Sequence, residues 1–174
     1  MFTAYGVKRG LRNEDETGVM AGLTSIGQVK GYYIEDGEKM PAEGRLRYRG
    51  YDIKDIVENC EKEDRFGYEE VVFLLLFGKL PTNDELKKFA ELMGELRPLP
   101  EGFAEDMILK APSSNIMNKI ARSVLAMYSY DSNPDETTVE NIIRQSIELI
   151  ARLPVMAAVG YQAKHHYYDG ESMY

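Results

Sequence analysis

A change of hydrophobic period at Tyr51 sets the order of structure along this chain. Before it, residues 45–49 read RLRYR and alternate basic with apolar side chains, which is the period of a strand packed on one face. After it, a plausible N-cap at Asp52 precedes apolar residues at helical spacing, namely Ile53, Ile56, Val57 and Cys60. The chain should therefore pass from a β-hairpin into a series of helices.

The expected hairpin joins two extended segments, residues 26–34 and 45–51, through the stretch EDGEKMPAEG. Asp36, Gly37 and Pro41 are turn formers, so we expect a long connection. The first 25 residues are polar, rich in glycine and charge, and without a sustained period. They are interpreted as an arm or loop.

Two helices are indicated next. Residues 68–77 are apolar nearly all round and stop at Gly78, which is typical of a short buried helix with a glycine end. Residues 82–85, TNDE, have the form of a capping box. An apolar stripe follows the box, and it consists of Leu86, Phe89, Leu92, Met93 and Leu96.

Further helices are expected after Pro98 and Pro100. One is short, from Phe103 to Leu109, and the next is capped by Ser113, Ser114 or Asn115. Its predicted packed side holds Ile116, Ile120, Val124, Leu125 and Tyr128. A long helix from about Thr138 to Tyr168 contains Pro154, which should kink it. The fold class is mainly α, and no internal domain boundary is expected within residues 1–174.

Composition excludes several classes of partner. The formal net charge is −8, from 29 acidic and 21 basic residues, which argues against nucleic acid and against an anionic membrane as main partners. The longest apolar run, residues 71–77, is far shorter than a membrane span. Cys60, the single cysteine, cannot form an internal disulfide and is expected to be a buried structural thiol. The N-terminus lacks the apolar run of a signal peptide, and a reducing cytoplasm fits these features.

No catalytic residue or metal site is predicted. His165 and His166 are adjacent, so their side chains would point about 100° apart on a helix and could not hold one metal ion. We expect a solvated or interface role for them. Acidic pairs such as Glu69-Glu70 suit solvated helix starts, and Ser113 and Ser114 suit capping.

Two basic clusters stand out in this acidic chain. One is Lys8-Arg9-Arg12, and the other is Arg45-Arg47-Arg49, whose side chains would share one face of a strand. Ion pairing with nearby acids is the plain interpretation. A subunit interface or an anion site is the alternative, since arginine is enriched at both.

The stretch GRLRYRGYDIKDI is similar to the signature G-x-L-x-Y-R-G-Y-x-I-x-x-L near the start of citrate synthases. Ile56 stands where leucine is common. The stretches GVMAGLT, FLLLFGKLPTNDEL, ARSVLAMY and IELIARLPVMAAVGYQ also resemble that family in order. The matching signature positions are Gly44, Leu46, Tyr48, Arg49, Gly50, Tyr51 and Ile53.

This resemblance implies a citrate synthase-like large-domain fragment with a small N-terminal β-hairpin. The implied reaction condenses acetyl-CoA with oxaloacetate to give citrate and CoA in a homodimer, with no cofactor beyond these substrates. In relatives, the aspartate base and the two histidines lie after the helix that ends near Tyr168. Residues 1–174 are therefore expected to be the incomplete N-terminal portion of the large domain and inactive alone. A 2-methylcitrate synthase fragment and a non-catalytic helical assembly or regulatory module are the alternatives.

The resemblance also sets structural expectations. Arg49 is expected to be part of a corner that leads the hairpin into the first helix, with Gly50 allowing the bend. Arg45 and Arg47 are expected to form surface ion pairs. A chain without its packing partners would expose an apolar stripe and self-associate. That stripe is predicted at Leu149, Leu153, Met156 and Val159.

Overall fold

The structure is a computed structural model that describes residues 2–14, 18–20 and 22–173. It is mainly helical with a small antiparallel sheet before the helices, which confirms the predicted class. The sheet has the order β1 (Gly27–Glu35), β2 (Glu38–Tyr48) and β3 (Tyr51–Asp52). Within the described ranges five α-helices follow, and they are α1 (Ile53–Lys62), α2 (Tyr68–Phe77), α3 (Asn83–Leu96), α4 (Ile116–Ala126) and α5 (Val139–Asp169). Three short turns of helix complete the elements, a 3₁₀ turn at Phe2–Tyr5, a π-helical segment at Ala104–Leu109 and a 3₁₀ turn at Met127–Tyr130.

The hairpin connection is short, so the expectation of a long loop was wrong. Glu35 pairs directly with Glu38, and the two residues between them, Asp36 and Gly37, have φ values of +52° and +82°. Positive φ at both positions is the mark of a type I′ turn, whose twist matches that of the strands. Residues 38–44 are therefore held in register as strand, with one irregularity between Lys30 and Tyr32.

The helix ends follow local rules that the sequence displays. Asp52 caps α1 by accepting a hydrogen bond from the Lys54 backbone N–H at 3.2 Å. Gly78 ends α2 with a φ of +79°. In the capping box, the Thr82 N–H donates to Glu85 Oε2 at 2.9 Å and the Glu85 N–H donates to Thr82 Oγ1 at 3.3 Å. These predicted ends are confirmed.

The described chain divides into two compact units, Met1–Leu86 and Lys87–Tyr174. In the first, the buried residues Ile56, Cys60 and Leu74 form a core. In the second, the core holds Phe103, Ile108, Met156 and Ala163. Two compact units are not by themselves separate domains, so the expectation of no internal domain boundary stays a prediction.

The packed face of α4 differs from the expected one. Lys119 and Ser123 are each only 1% exposed, whereas Leu125 is 76% and Tyr128 is 56% exposed. The buried side is displaced because the Lys119 ammonium finds carbonyl acceptors inside the unit, so a charged residue occupies a position that the apolar pattern would exclude. Asn115 caps this helix through the Asn118 N–H at 2.9 Å.

The stripe predicted on α5 is also corrected. Met156 is fully buried against the cluster of Phe103 and Ile108, because the π-helical segment covers that side of the helix. Leu153 remains 37% exposed. The helix continues through Pro154 and is capped by Thr138. Among the described residues, no helix is long and apolar enough to cross a membrane.

Candidate functional site at the corner between the hairpin and the first helix

Arg49 and Gly50 form the corner that joins the sheet to the first helix. Tyr48 pairs with Tyr51 across them, and their φ values are +50° and +91°. This is a second turn with the φ signs of type I′. Gly50 adopts such a conformation without strain, whereas an arginine there is uncommon. The Arg49 N–H donates to the Ile26 carbonyl at 2.8 Å, which ties the turn to the start of β1.

The Arg49 side chain links this corner to the end of α2. Its Nη2 donates to the Leu75 carbonyl at 2.8 Å. That carbonyl lies in the last turn of the helix, where backbone acceptors lack helical partners and a cation is favoured by the helix dipole. A Cβ on Gly78 would lie 3.9 Å from Arg49 Cζ, so the guanidinium also packs beside the helix end.

The other signature residues divide into packing and exposed positions. Tyr48 and Ile53 pack against the core of Ile56, Cys60 and Leu74. Leu46 is half-buried and pairs with Val29 across the strands. Tyr51 is 42% exposed, and Gly44 is exposed with open space around its α-carbon. The signature thus builds a corner, and its described contacts are structural.

The remaining arginines of the cluster behave differently from each other. Arg45 Nε lies 3.6 Å from Asp52 Oδ2, so its predicted ion pair is present. Arg47 has no ion pair within the described ranges, and the prediction is wrong for it. Its Nε is buried and has no hydrogen-bond partner among the residues that the structure describes, and the same is true of the Nε of Arg49.

A buried thiol cluster lies beside this corner. Arg65 holds Glu70 with two hydrogen bonds, Nη1 to Oε2 at 2.9 Å and Nη2 to Oε1 at 3.2 Å. Cys60 Sγ lies 3.5 Å from Glu70 Oε2 and 3.5 Å from Arg65 Nη1. Burial and the hydrogen bond to Glu70 raise the pKa of the Cys60 thiol. A neutral thiol is a poor nucleophile, and the predicted burial of Cys60 is confirmed.

Lys119 is a buried charged residue in the second unit that the apolar pattern of the sequence did not predict. Its Nζ donates to the Met107 carbonyl and, at 3.0 Å, to the Ala111 carbonyl. Burial lowers the pKa of this lysine, with a smaller contribution from the charge of Arg122. The ammonium thus binds backbone carbonyls at the C-terminal end of the π-helical segment. One signal exists in the sequence, since Lys119 shares a helical face with Ile116 and Ser123.

The second unit also holds a network of ion pairs next to a groove. Arg144 binds Asp131 at 2.7 Å and Glu148 at 2.9 Å, and Arg152 binds Glu148 at 3.0 Å. A groove of about 290 Å³ is lined by Asp131, Glu148 and Arg152 together with Leu125, Tyr128 and Leu149. Because Asp131 and Glu148 are both paired, neither is poised as a general base.

The two histidines do not converge on one point. His165 Nε2 lies 2.6 Å from the Tyr161 hydroxyl and 3.8 Å from Asp169 Oδ2. His166 Nδ1 lies 3.0 Å from the Glu171 carbonyl. Their separate partners give no shared ligand position. Across the part of the chain that the structure describes, no group of three or more His, Cys, Asp or Glu side chains is placed to hold a metal ion.

A family model described as "Citrate synthase, C-terminal domain" matches residues 11–173. The chain belongs to the citrate synthase family. The resemblance inferred from the signature is thereby confirmed. The model's description names a C-terminal domain, whereas the sequence analysis places these residues in the N-terminal portion of the large domain. The place of this chain within a longer protein stays a prediction.

Curated relatives include a 2-methylcitrate synthase and a citrate synthase. "2-Methylcitrate synthase 1" of Corynebacterium glutamicum is 32% identical over 154 residues, which is 88% of this chain and 35% of that protein. "Citrate synthase" of the same organism is 35% identical over 158 residues, which is 86% of this chain and 33% of that protein. The chain therefore spans about a third of the length of these relatives.

Solved structures agree with the family assignment. Citrate synthase from Pyrobaculum aerophilum superposes with a TM-score of 0.66 at 25% identity, covering 86% of this chain and 35% of that one. Citrate synthase from Thermoplasma acidophilum, solved as a ternary complex with carboxymethyl coenzyme A and oxaloacetate, gives a TM-score of 0.65 at 22% identity, over 84% of this chain and 34% of that one. The second likeness supports the fold.

Proposed function

We propose that these residues form the N-terminal portion of the large domain of a citrate synthase-type acyltransferase, which joins acetyl-CoA to oxaloacetate and releases citrate and CoA. The family match over residues 11–173 carries this proposal. The likeness to the Pyrobaculum aerophilum enzyme supports it. The substrates are the only small molecules proposed, with no separate cofactor and no nucleic acid.

The chain's own part in this activity is structural. Removing a proton from the acetyl methyl needs a positioned base, and the developing oxygen charge needs preorganised donors. In the described ranges, Asp131 and Glu148 are engaged in ion pairs, and His165 and His166 have separate partners. We therefore propose that the chain is inactive alone, and that it supports groups supplied by the rest of the enzyme.

Two alternatives are kept. A 2-methylcitrate synthase, which uses propionyl-CoA, is favoured by the 32% identity to a relative of that name. A helical assembly or regulatory module without chemistry is the alternative from a different class. These functions differ in their acyl-CoA preference and in whether catalytic groups are present. Both features depend on parts of the enzyme beyond the described corner.

The test uses the whole polypeptide encoded by the reading frame that contains residues 1–174. CoA release is followed with oxaloacetate and either acetyl-CoA or propionyl-CoA. We expect oxaloacetate-dependent release that is faster with acetyl-CoA. Faster release with propionyl-CoA would favour the 2-methylcitrate alternative. Release with neither acyl-CoA, from a folded protein, would contradict the enzyme proposal and favour the module.

We also propose self-association as a homodimer in the cytoplasm. Support for self-association comes from large apolar side chains left exposed on α4 and α5, such as Met117 at 74%, Leu125 at 76% and Ile142 at 48% exposure. Exposed apolar surface of this kind favours association. The buried reduced thiol of Cys60 is compatible with a reducing compartment. A monomer by light scattering at micromolar concentration would contradict the dimer.

A further inference from the structure

The base of the hairpin carries a basic face, which consists of Gln28, Lys30, Arg45 and Arg47. Gln28 lies opposite Arg47 and Lys30 lies opposite Arg45 in the register of β1 and β2. Side chains directly opposite each other in an antiparallel pair lie on the same side of the sheet. Three cations are thus gathered on one side of two short strand segments, in a chain whose net charge is −8.

The positive charge on this basic face is only partly neutralised. Asp52 lies opposite Arg47 in the register of β2 and β3 and is 3.6 Å from Arg45, and within the described ranges neither Lys30 nor Arg47 forms an ion pair with a carboxylate. Arg47 Nε is buried and makes no hydrogen bond with a described residue. A buried donor without an acceptor costs about 1–3 kcal/mol. A hydrogen-bond acceptor from outside the described residues would remove this cost at Arg47 Nε.

The space beside the basic face is concave. One hollow of about 350 Å³ is lined by residues 24–28, Arg47 and Gly50. An adjoining hollow of about 150 Å³ is lined by the four residues of the basic face, so the two share Gln28 and Arg47. On the rim, Thr24 Oγ1 accepts from the Ile26 N–H at 3.0 Å, which leaves the hydroxyl hydrogen available to donate. Ser25, the next residue in the chain, also lines this first hollow.

We propose that the basic face binds a phosphate group, either free phosphate or the phosphate of a small monoester. Arginine presents several N–H donors in a planar arrangement that matches phosphate oxygens, and lysine adds a compact charge. Arg47 shares one hollow with Thr24 and Ser25 and the other with Lys30. Two cations without an ion-pair partner suit a doubly charged oxyanion better than a single carboxylate. Arg49 takes no part, since its Nη2 is already bound to the Leu75 carbonyl.

The test is a titration of the 174-residue chain with inorganic phosphate at pH 7.5 and constant ionic strength, followed by amide NMR shifts. We expect saturable shifts at Gly27, Gln28 and Gly50. A parallel titration with phenyl phosphate shows whether an ester is accepted, and acetate serves as the monocarboxylate comparison. Binding of the ester as tightly as phosphate would identify a phosphorylated small molecule as ligand, and weaker binding of the ester would identify the free ion.

Variants decide whether the basic face is responsible. Lys30→Gln should weaken phosphate binding at least about fivefold, which is the loss expected for one charge at about 4 Å in water. Arg47→Gln should weaken it by at least as much. The matched control is Lys39→Gln, which removes the same charge from the far end of the same hairpin, where the ammonium lies over the Tyr32 ring. The control should bind phosphate within about twofold of the unmodified chain, because charges beyond about 10 Å are largely screened at 0.1 M salt.

The proposal is overturned by unsaturable shifts, by equal binding of acetate, or by equal affinity in Lys30→Gln. Lys30 is exposed, so its replacement leaves the fold intact and keeps the test decisive if Arg47→Gln fails to fold. The titration measures binding to this chain directly. Its outcome is therefore independent of CoA release, and failure of either proposal can be told from failure of the other.

Discussion

Replacing Arg49 with Ala should lower the free energy of unfolding by about 2 kcal/mol. The change removes the hydrogen bond from Nη2 to the Leu75 carbonyl at 2.8 Å, and hydrogen bonds to charged groups contribute about 1.5–3 kcal/mol. The backbone contribution cancels in this comparison. Arginine and alanine both carry a Cβ, so each bears the cost of the φ of +50° at this position.

Replacing Arg49 with Gly separates the side chain from the backbone. Glycine loses the same hydrogen bond but adopts positive φ without the cost of about 1–2 kcal/mol that a Cβ imposes. Part of that gain is offset by the larger entropy of glycine in the unfolded chain, about 0.4–1 kcal/mol. The free energy of unfolding of the glycine variant should therefore be about 1 kcal/mol lower than that of the unmodified chain, and higher than that of the alanine variant.

Urea unfolding followed by circular dichroism measures these differences, provided that the slope m stays constant. The matched control is Arg45→Ala, since the Arg45 side chain is 54% exposed and its ion pair spans 3.6 Å. An exposed pair of this kind contributes about 0.2–1 kcal/mol. Equal losses for the two alanine variants would refute the role of Arg49 as a link to α2. A glycine variant less stable than the alanine variant would refute the backbone argument.

Three further predictions concern other described contacts. Lys119→Met should lower stability at pH 7 by about 2 kcal/mol, since it strips donors from two buried carbonyls. Burial lowers the pKa of Lys119 in the folded chain below its ordinary value of 10.5. Between the folded and the ordinary pKa, the unfolded chain therefore binds more protons than the folded chain. The stability of the unmodified chain relative to Lys119→Met should accordingly rise as pH increases toward 10.5. Hydrogen bonds from Lys79 and then Thr82 lower the pKa of Glu85 to about 2. The contribution of Glu85 to the stability of the folded chain should therefore be fully present above its ordinary pKa of 4.5 and be lost as pH falls through about 2. An NMR titration of the Glu85 carboxyl group measures this pKa. Gly67→Ala should cost about 1–3 kcal/mol by overpacking, since its Cβ would lie 2.7 Å from Cys60 Sγ, and should be nearly neutral in a Cys60→Ala background.

Each of these has a defined contrary outcome. Alkaline stability curves of the unmodified chain and Lys119→Met that stay parallel would refute the pKa argument. An ordinary titration of Glu85 near pH 4.5 would refute the capping-box contacts in solution. Equal cost of Gly67→Ala with and without Cys60 Sγ would show that the contact does not limit the packing, because a double-mutant cycle isolates that pair.

Local signals predicted the helix ends well because each depends on a few adjacent residues. Asp52, Gly78 and the box at residues 82–85 act within one turn of helix, so spacing alone is sufficient. The Asp36-Gly37 dipeptide also carried the right signal for a tight turn. The prediction of a long loop was wrong because Pro41, a turn former in many contexts, lies within β2 opposite Tyr32, next to the register irregularity.

Contacts between distant segments could not be predicted in the same way. Lys119 is buried because carbonyls at Met107 and Ala111 meet its ammonium, and helical periodicity does not report acceptors on another segment. Met156 is covered by the π-helical segment for the same reason. The exposed side of α4 could not be predicted either, because it depends on both of these contacts. The pairing of Arg65 with Glu70 likewise depends on the loop that folds between α1 and α2.

The resemblance of the signature predicted the family, and the structure explains what the signature does. Its glycine and arginine occupy the two positive-φ positions of one turn, while Tyr48 and Ile53 pack on the core. These requirements are local and geometric. They explain how the signature specifies the fold at this corner.

The most direct test of this account is CoA release by the 174-residue chain alone, supplied with acetyl-CoA and oxaloacetate after folding has been verified by a cooperative unfolding transition. We predict no release above the background without protein, because we propose that the chain is a scaffold for groups supplied by the rest of the enzyme. Oxaloacetate-dependent turnover by the purified chain would contradict the claim that these residues build the fold without performing the reaction.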